Sequence, residues 1–294
     1  MRIEPICAVA LLALHTLWPG PSRAADPGSL QIKQELSKEE VIYRSTAVPE
    51  GYTVDRSLSD YAEMLSSGFD HTLANLGPND RWLDIGAGQG KAILDYYMPR
   101  PDAQRAGISE WRNGRARAVA ISIEDRRTPV WSKVAAGLRQ NQIQYLLNRH
   151  LRQYSVQQLG RFQLITDVIG GFSYAEDLSL FVEKALGFLV VNGSFYTVLA
   201  DVRSEDGGNR PYYPGSPFST ALANADGSEG SVCSWLKSIR CVEVACESKD
   251  GWHPPIEAFR LRKVCEKVAV PALKLLNYEA STPPGRQYRR LPQH

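Results

Sequence analysis

The residues best suited to chemistry lie in one stretch. From Arg81 to Tyr97 the chain reads RWLDIGAGQGKAILDYY: an apolar run, Asp84, then Gly86, Gly88 and Gly90 in alternation, then a helical pattern. Glycines let the backbone turn sharply and let a ligand approach without meeting a Cβ, and a helix opening from such a turn presents free amides. Spacing arbitrates between the uses of such loops. A dinucleotide fingerprint needs G-x-G-x-x-G, but Lys91 stands where the third glycine belongs. A phosphate loop needs G-x-x-x-x-G-K-[ST], but Ile85 and Ala92 occupy its first and last positions. What remains is D-x-G-x-G-x-G. That pattern suits an adenosine-bearing ligand with no phosphate at the loop, and an acid beside it suits a cationic, amino-bearing group.

Asp84, Gly86, Gly88 and Gly90 resemble the first motif of the class I S-adenosylmethionine-dependent methyltransferases. The resemblance implies S-adenosyl-L-methionine as cofactor, with the loop, Ala87 included, lying against its methionine part. It also implies a Rossmann-like doubly wound, mostly parallel seven-stranded sheet closed by an antiparallel C-terminal hairpin. In that family an acid at the end of the second strand holds the ribose hydroxyls, since a carboxylate accepts two hydrogen bonds from a vicinal diol. Glu124 takes this role by period-two geometry with Ser122, and Asp125 is the alternative. After the third strand, where the family often offers an acid to adenine, this chain has Asn148, followed by Arg149 and His150. At the fourth strand, Asp167 falls where the family places residues facing the transferable methyl group, so the resemblance gives it cofactor contact and a catalytic part. Tyr174 closes the edge of that pocket. The plain alternative makes Asp167 a helix cap and Tyr174 a packing residue.

Methyl transfer asks little of the protein, because the sulfonium is already activated and in-line positioning can supply most of the rate. A general base is needed only when the attacking atom holds a proton of high pKa. No catalytic triad is expected.

The elements that must position these residues follow from periodicity. Apolar residues at Tyr61, Met64, Leu65, Phe69, Leu73 and Leu76 predict one helix over 58–76, stopped by Gly77 and Pro78. Strands are expected over 81–85, 118–123, 143–147, 162–169 and 193–199, with helices over 91–97, 129–140 and 178–189 and a short helical stretch over 151–159. This alternation predicts an α/β fold with a parallel sheet and helices on both faces. A helix over 231–238 and strands over 239–247 and 256–264 supply the closing pair. The 98–117 insert and the 201–230 loop carry Trp111, Tyr212 and Tyr213, candidates to stack on a planar acceptor. The parts are then a signal peptide over 1–24, an arm over 25–56, the main domain over 57–270 and a basic tail over 271–294, its end expected to be disordered.

The 294 residues are 43% hydrophobic with a formal net charge of +2, which argues against a purely electrostatic nucleic-acid partner and gives no membrane-surface signal. The apolar run over 6–18, with small residues before Ala25, reads as a secretory signal cleaved after Ala24; an uncleaved membrane anchor is the alternative. Export leaves Cys233, Cys241, Cys246 and Cys265, an even set favouring disulfides, with three pairings open. No C-x-x-C pair exists, so no metal is expected. Two functional readings stand: a methyltransferase acting on an unidentified acceptor, and an exported non-catalytic binding protein that keeps the fold. Lys91 disfavours a nicotinamide enzyme. Oligomeric state is not encoded.

Overall fold

A computed structural model describes residues 55–97, 114–200, 218–252, 255–279 and 285–292. The expected signal peptide and nearly all of the arm lie outside the described residues, as do Trp111, Tyr212 and Tyr213.

Helices α1 (Leu58–Met64) and α2 (Phe69–Ala74) precede β1 (Arg81–Ile85), α3 (Lys91–Tyr97), β2 (Arg117–Ser122), α4 (Pro129–Gly137) and β3 (Ile143–Leu147). Then come a short 3₁₀ turn at Leu151–Gln153, α5 (Val156–Leu159), β4 (Phe162–Asp167), α6 (Gly171–Tyr174), α7 (Leu178–Phe188) and β5 (Leu189–Ala200). The chain continues through β6 (Ser219–Ala223), β7 (Glu229–Gly230), α8 (Val232–Lys237), β8 (Val242–Lys249), β9 (Ile256–Lys263), β10 (Leu273–Glu279) and β11 (Gly285–Arg290).

Seven strands form the main sheet in the order β3-β2-β1-β4-β5-β9-β8. The first five are parallel; β9 runs antiparallel to β5, and β8 antiparallel to β9. The α/β class, the strand alternation and the antiparallel closing pair agree with the sequence-based expectation. Trp82, Leu83, Asp84 and Ile85 are all buried, as a central parallel strand covered on both faces requires. One face packs Trp82, Leu164, Tyr196 and Ala258 beneath Tyr61, Phe69, Ile93 and Trp131 of α1 to α4. The other packs Leu83, Ile165, Phe195 and Phe259 beneath Phe172, Val182 and Trp235 of α6, α7 and α8.

Three expectations are corrected, the first being the 201–230 loop, whose last part carries β6 and β7. The single helix over 58–76 is two helices, because the chain leaves α1 in extended conformation at Leu65 and re-enters α2 through Gly68 at φ 88°. The apolar period survives the break, since Tyr61, Met64, Leu65, Phe69 and Leu73 all reach the same core. The segment 271–294, read as a tail, carries β10 and β11, which pair antiparallel and join β6 and β7 in a second sheet of order β10-β11-β6-β7. Its basic composition hid an alternation: Arg286 and Tyr288 are buried while Gln287 and Arg289 are exposed, the period of a strand with one covered face.

The four cysteines pair as Cys233–Cys246, tying α8 to β8, and Cys241–Cys265, tying the start of β8 to the chain just beyond β9. One of the three open pairings is thereby chosen. Among the described residues no helix is long and apolar enough to cross a membrane.

Candidate functional site

The glycine loop leaves the carboxyl end of β1. Gly86, Gly88 and Gly90 have φ of 70°, 54° and 70°, which only glycine adopts without strain. The amides of Gly86 and Ala87 donate to the Ile121 carbonyl of β2 at 3.0 and 3.1 Å, and Gly90 donates to the Ala87 carbonyl at 2.7 Å. Close packing fixes two of these glycines independently of any ligand. A Cβ on Gly86 would stand 2.8 Å from the Cα of Gly170, and one on Gly90 would run into the Trp131 ring. Trp131 meets Tyr145 edge-on at 5.1 Å, and the Tyr145 hydroxyl donates to the Gly88 carbonyl. Trp131 and Tyr145 thus floor the loop. Neither role is legible in the sequence, because α4 and β3 come together only through the sheet.

Asp84 is fully buried. Its carboxylate accepts from the Tyr61 hydroxyl at 3.1 Å to each oxygen and from the Thr166 hydroxyl at 2.7 Å; Thr166 in turn accepts from Trp82 Nε1 at 2.8 Å. Burial outweighs these bonds and pushes the carboxyl up to about 7. Tyr61 arrives from α1, whose start is pinned to α3: Leu58 N donates to Asp95 at 3.1 Å, and Ser57 with Asp60 forms a reciprocal capping pair. Arg56, just ahead of that cap, is held below its usual value by burial and has Tyr61, Tyr174, Asp60 and Asp55 as electrostatic neighbours.

Asp167, the last residue of β4, is also fully buried. One oxygen accepts from Gly170 N at 2.8 Å and the other from Phe172 N at 2.9 Å. Its carboxyl thus ties the amides at the start of α6, whose N-cap residue is Gly170. Burial raises this carboxyl to about 7, against the pull of those two amides. Tyr174 is half-buried, its ring edge-on to Phe218 at 6.4 Å.

β2 ends at Ser122, whose hydroxyl donates to the Glu124 carbonyl at 2.7 Å. The Glu124 carboxylate pairs with Arg126, and Asp125 takes a two-pronged bond from Arg127 at 2.7 and 2.8 Å. Asn148 is exposed directly after β3, at φ 61°. Since Ile85 is in register with Ile121, and Ser122 with Leu147, the loop, Glu124 and Asn148 follow the ends of three adjacent parallel strands. Asp167 ends the strand on the other side of β1. Crossovers diverge between β1 and β4, the point where ligands bind in open α/β sheets.

No family model matches the chain, and no curated protein does. Solved structures do. An rRNA methylase from Streptococcus thermophilus is 12% identical over 67% of this chain and 94% of its own, with a TM-score of 0.39. The N-methyltransferase NodS from Bradyrhizobium japonicum WM9, in complex with S-adenosyl-L-homocysteine, is 11% identical over 76% and 97%, with a TM-score of 0.39. TrmN from Thermus thermophilus is 14% identical over 66% and 47%, with a TM-score of 0.36. The strand order, the antiparallel β9 and the glycine loop at the end of β1 give the chain the Rossmann-like, seven-stranded fold that the resemblance implies.

Proposed function

We propose that this protein is an S-adenosylmethionine-dependent methyltransferase acting on an acceptor yet to be identified. The observation that carries the reading is the D-x-G-x-G-x-G loop, held in left-handed turns at the carboxyl end of β1 beside the divergence of the crossovers. The group fits this edge. Gly86 is exposed and Gly88 half-buried, so backbone remains open to a ligand at the loop. Glu124 stands beyond β2 for the ribose diol and Asn148 beyond β3 for adenine. The bound cofactor supplies an activated methyl. The chain's own part is to seat the cofactor at the loop, to place negative charge near its cationic end through Asp84, and to hold the 167–174 segment on the acceptor side. Asp84 has no exposed surface and works on the ligand through the field and through Tyr61, not by direct contact.

Titration calorimetry on the full chain with S-adenosylmethionine and with S-adenosylhomocysteine tests this. Saturable one-site binding in the micromolar range is expected. No heat with either ligand up to about 1 mM would overturn the reading. We propose further that the chain is exported after cleavage behind Ala24, a reading supported by two disulfides that use all four cysteines beyond position 24. Purely cytosolic protein at the uncleaved mass would refute it.

A further inference from the structure

Five consecutive carbonyls, from Phe172 to Glu176, accept hydrogen bonds from the second sheet and the residue leading into it. Arg286 donates through Nη2 to Phe172 O at 2.7 Å and through Nη1 to Ala175 O at 2.6 Å. Phe218 N donates to Ser173 O at 3.4 Å, and the Tyr278 hydroxyl to Tyr174 O at 3.3 Å. The Tyr288 hydroxyl reaches Ala175 O at 3.3 Å and Glu176 O at 2.7 Å. Arg286 is itself fully buried, and its Nε donates to Thr220 of β6 at 2.8 Å, so the guanidinium bridges the second sheet and this turn.

The turn needs such support. Its helix, α6, has four residues, too few to stand alone. Ile169, just before it, has φ 52°, a left-handed conformation that a β-branched residue adopts only when the surroundings over-determine it. Asp167 ties the amides at one end, and the second sheet ties the carbonyls along the rest. Rings continue the contact: Tyr174 meets Phe218 edge-on, and Phe218 stacks on Tyr278 at 4.6 Å.

We propose that the second sheet is a positioning platform for residues 170–176, with Arg286 as its central positioning residue, setting where Tyr174 stands on the acceptor side of the site. The acceptor side rests on the methyltransferase reading; the platform itself does not. The sheet sits outside the seven strands that hold the glycine loop, so the proposal separates the two halves of the site. Loosening the platform frees the carbonyls of 172–176, while Gly170, packed on Gly86 and bonded to Asp167, keeps the glycine loop and its cofactor affinity in place.

The test uses the full chain with Arg286→Met, Arg286→Lys and Tyr288→Phe. In Arg286→Met, amide exchange at Phe172, Ser173 and Ala175 is expected to rise at least about tenfold relative to β1 amides, with S-adenosylhomocysteine affinity within about threefold of wild type. A carbon-13 titration of the Asp167 carboxyl adds a readout that loss of packing alone does not predict. Asp167 is faced by the charges of Asp84 and Arg286 and by two backbone amides. Its midpoint is expected to move up in Arg286→Met and to stay in Arg286→Lys, which keeps the charge but loses the fork. If Arg286→Met does not fold, Tyr288→Phe decides by the same exchange ratio. Unchanged protection over 170–176, or equal loosening of β1 and the turn, would overturn the proposal. Failure of the methyltransferase reading shows separately, as wild-type protein that does not bind S-adenosylhomocysteine while the exchange and carboxyl results stand.

Discussion

Gly86→Ala is expected to destabilise the protein by about 3 kcal/mol or more and to remove binding at the loop. Two costs add. The residue holds φ 70°, where an L side chain is strained, and its new Cβ would press on the Cα of Gly170 at 2.8 Å. Backbone cannot rotate out of the way as a side-chain tip can. Gly170 is confined as tightly, since a Cβ there would meet the Ile85 carbonyl at 2.6 Å and Asp167 Oδ1 at 2.7 Å. Gly170→Ala is therefore expected to cost a similar amount. Gly187, in α7 with nothing within 4 Å of its Cβ position, is the control. There alanine is expected to be neutral or to stabilise by up to about 1 kcal/mol. Urea unfolding of the three variants checks the ranking, and a Gly86→Ala protein as stable as Gly187→Ala would refute the crossing of the two loops.

The second large effect is on pH dependence, through Asp84. Its folded value of about 7 lies above that of an unfolded aspartate, so the folded state binds more protons between about pH 4 and pH 7. Stability contributed by this group is therefore greatest at the acid end and is lost as pH rises through that window, with no further loss above it. Asp167 behaves alike. Each carboxyl is expected to lower stability by at most about 3 kcal/mol between pH 5 and pH 8. Asp84→Asn is expected to remove its own share, about half of the combined loss from the two carboxyls, measured by urea unfolding at the two pH values. For binding the sign reverses. A cationic ligand favours the carboxylate, so affinity should rise from pH 6 to pH 8 in the wild type and lose that rise in Asp84→Asn. An Asn variant with the wild-type pH slopes would sink this account of Asp84.

Much of the architecture was legible because local signals and the global fold agree. β1 read as a buried strand from Trp82, Leu83 and Ile85, and the triple glycine announced a tight turn into α3. Glycine spacing, with Ala92 in place of a Ser or Thr, separated this loop from phosphate and dinucleotide loops. Less legible was what each glycine is for: Gly86 makes way for Gly170 and Gly90 for Trp131, contacts across 84 and 41 residues of chain. The Tyr61 bond to Asp84 was hidden for the same reason, since a tyrosine in an apolar helical period reads as core. That Asp167 could serve backbone amides after β4 was visible in the sequence, but not that both its oxygens would be taken by Gly170 and Phe172. The β10–β11 pair was lost because charge pointed to solvent, whereas a buried Arg286 bonded to two carbonyls and a hydroxyl satisfies its donors inside the fold.

The loop, Glu124 and Asn148 together define where a ligand must lie if the site is used as the fold suggests. Amide shift mapping with S-adenosylhomocysteine on nitrogen-15-labelled protein tests this most directly. The account predicts saturable shifts centred on Gly86, Gly88, Gln89 and Gly90, extending to Glu124 and Asn148 and fading toward the groove of Asn224, Ser238 and Arg290 on the second sheet. Shifts that leave the glycine amides unmoved, or that centre on that groove, would contradict it.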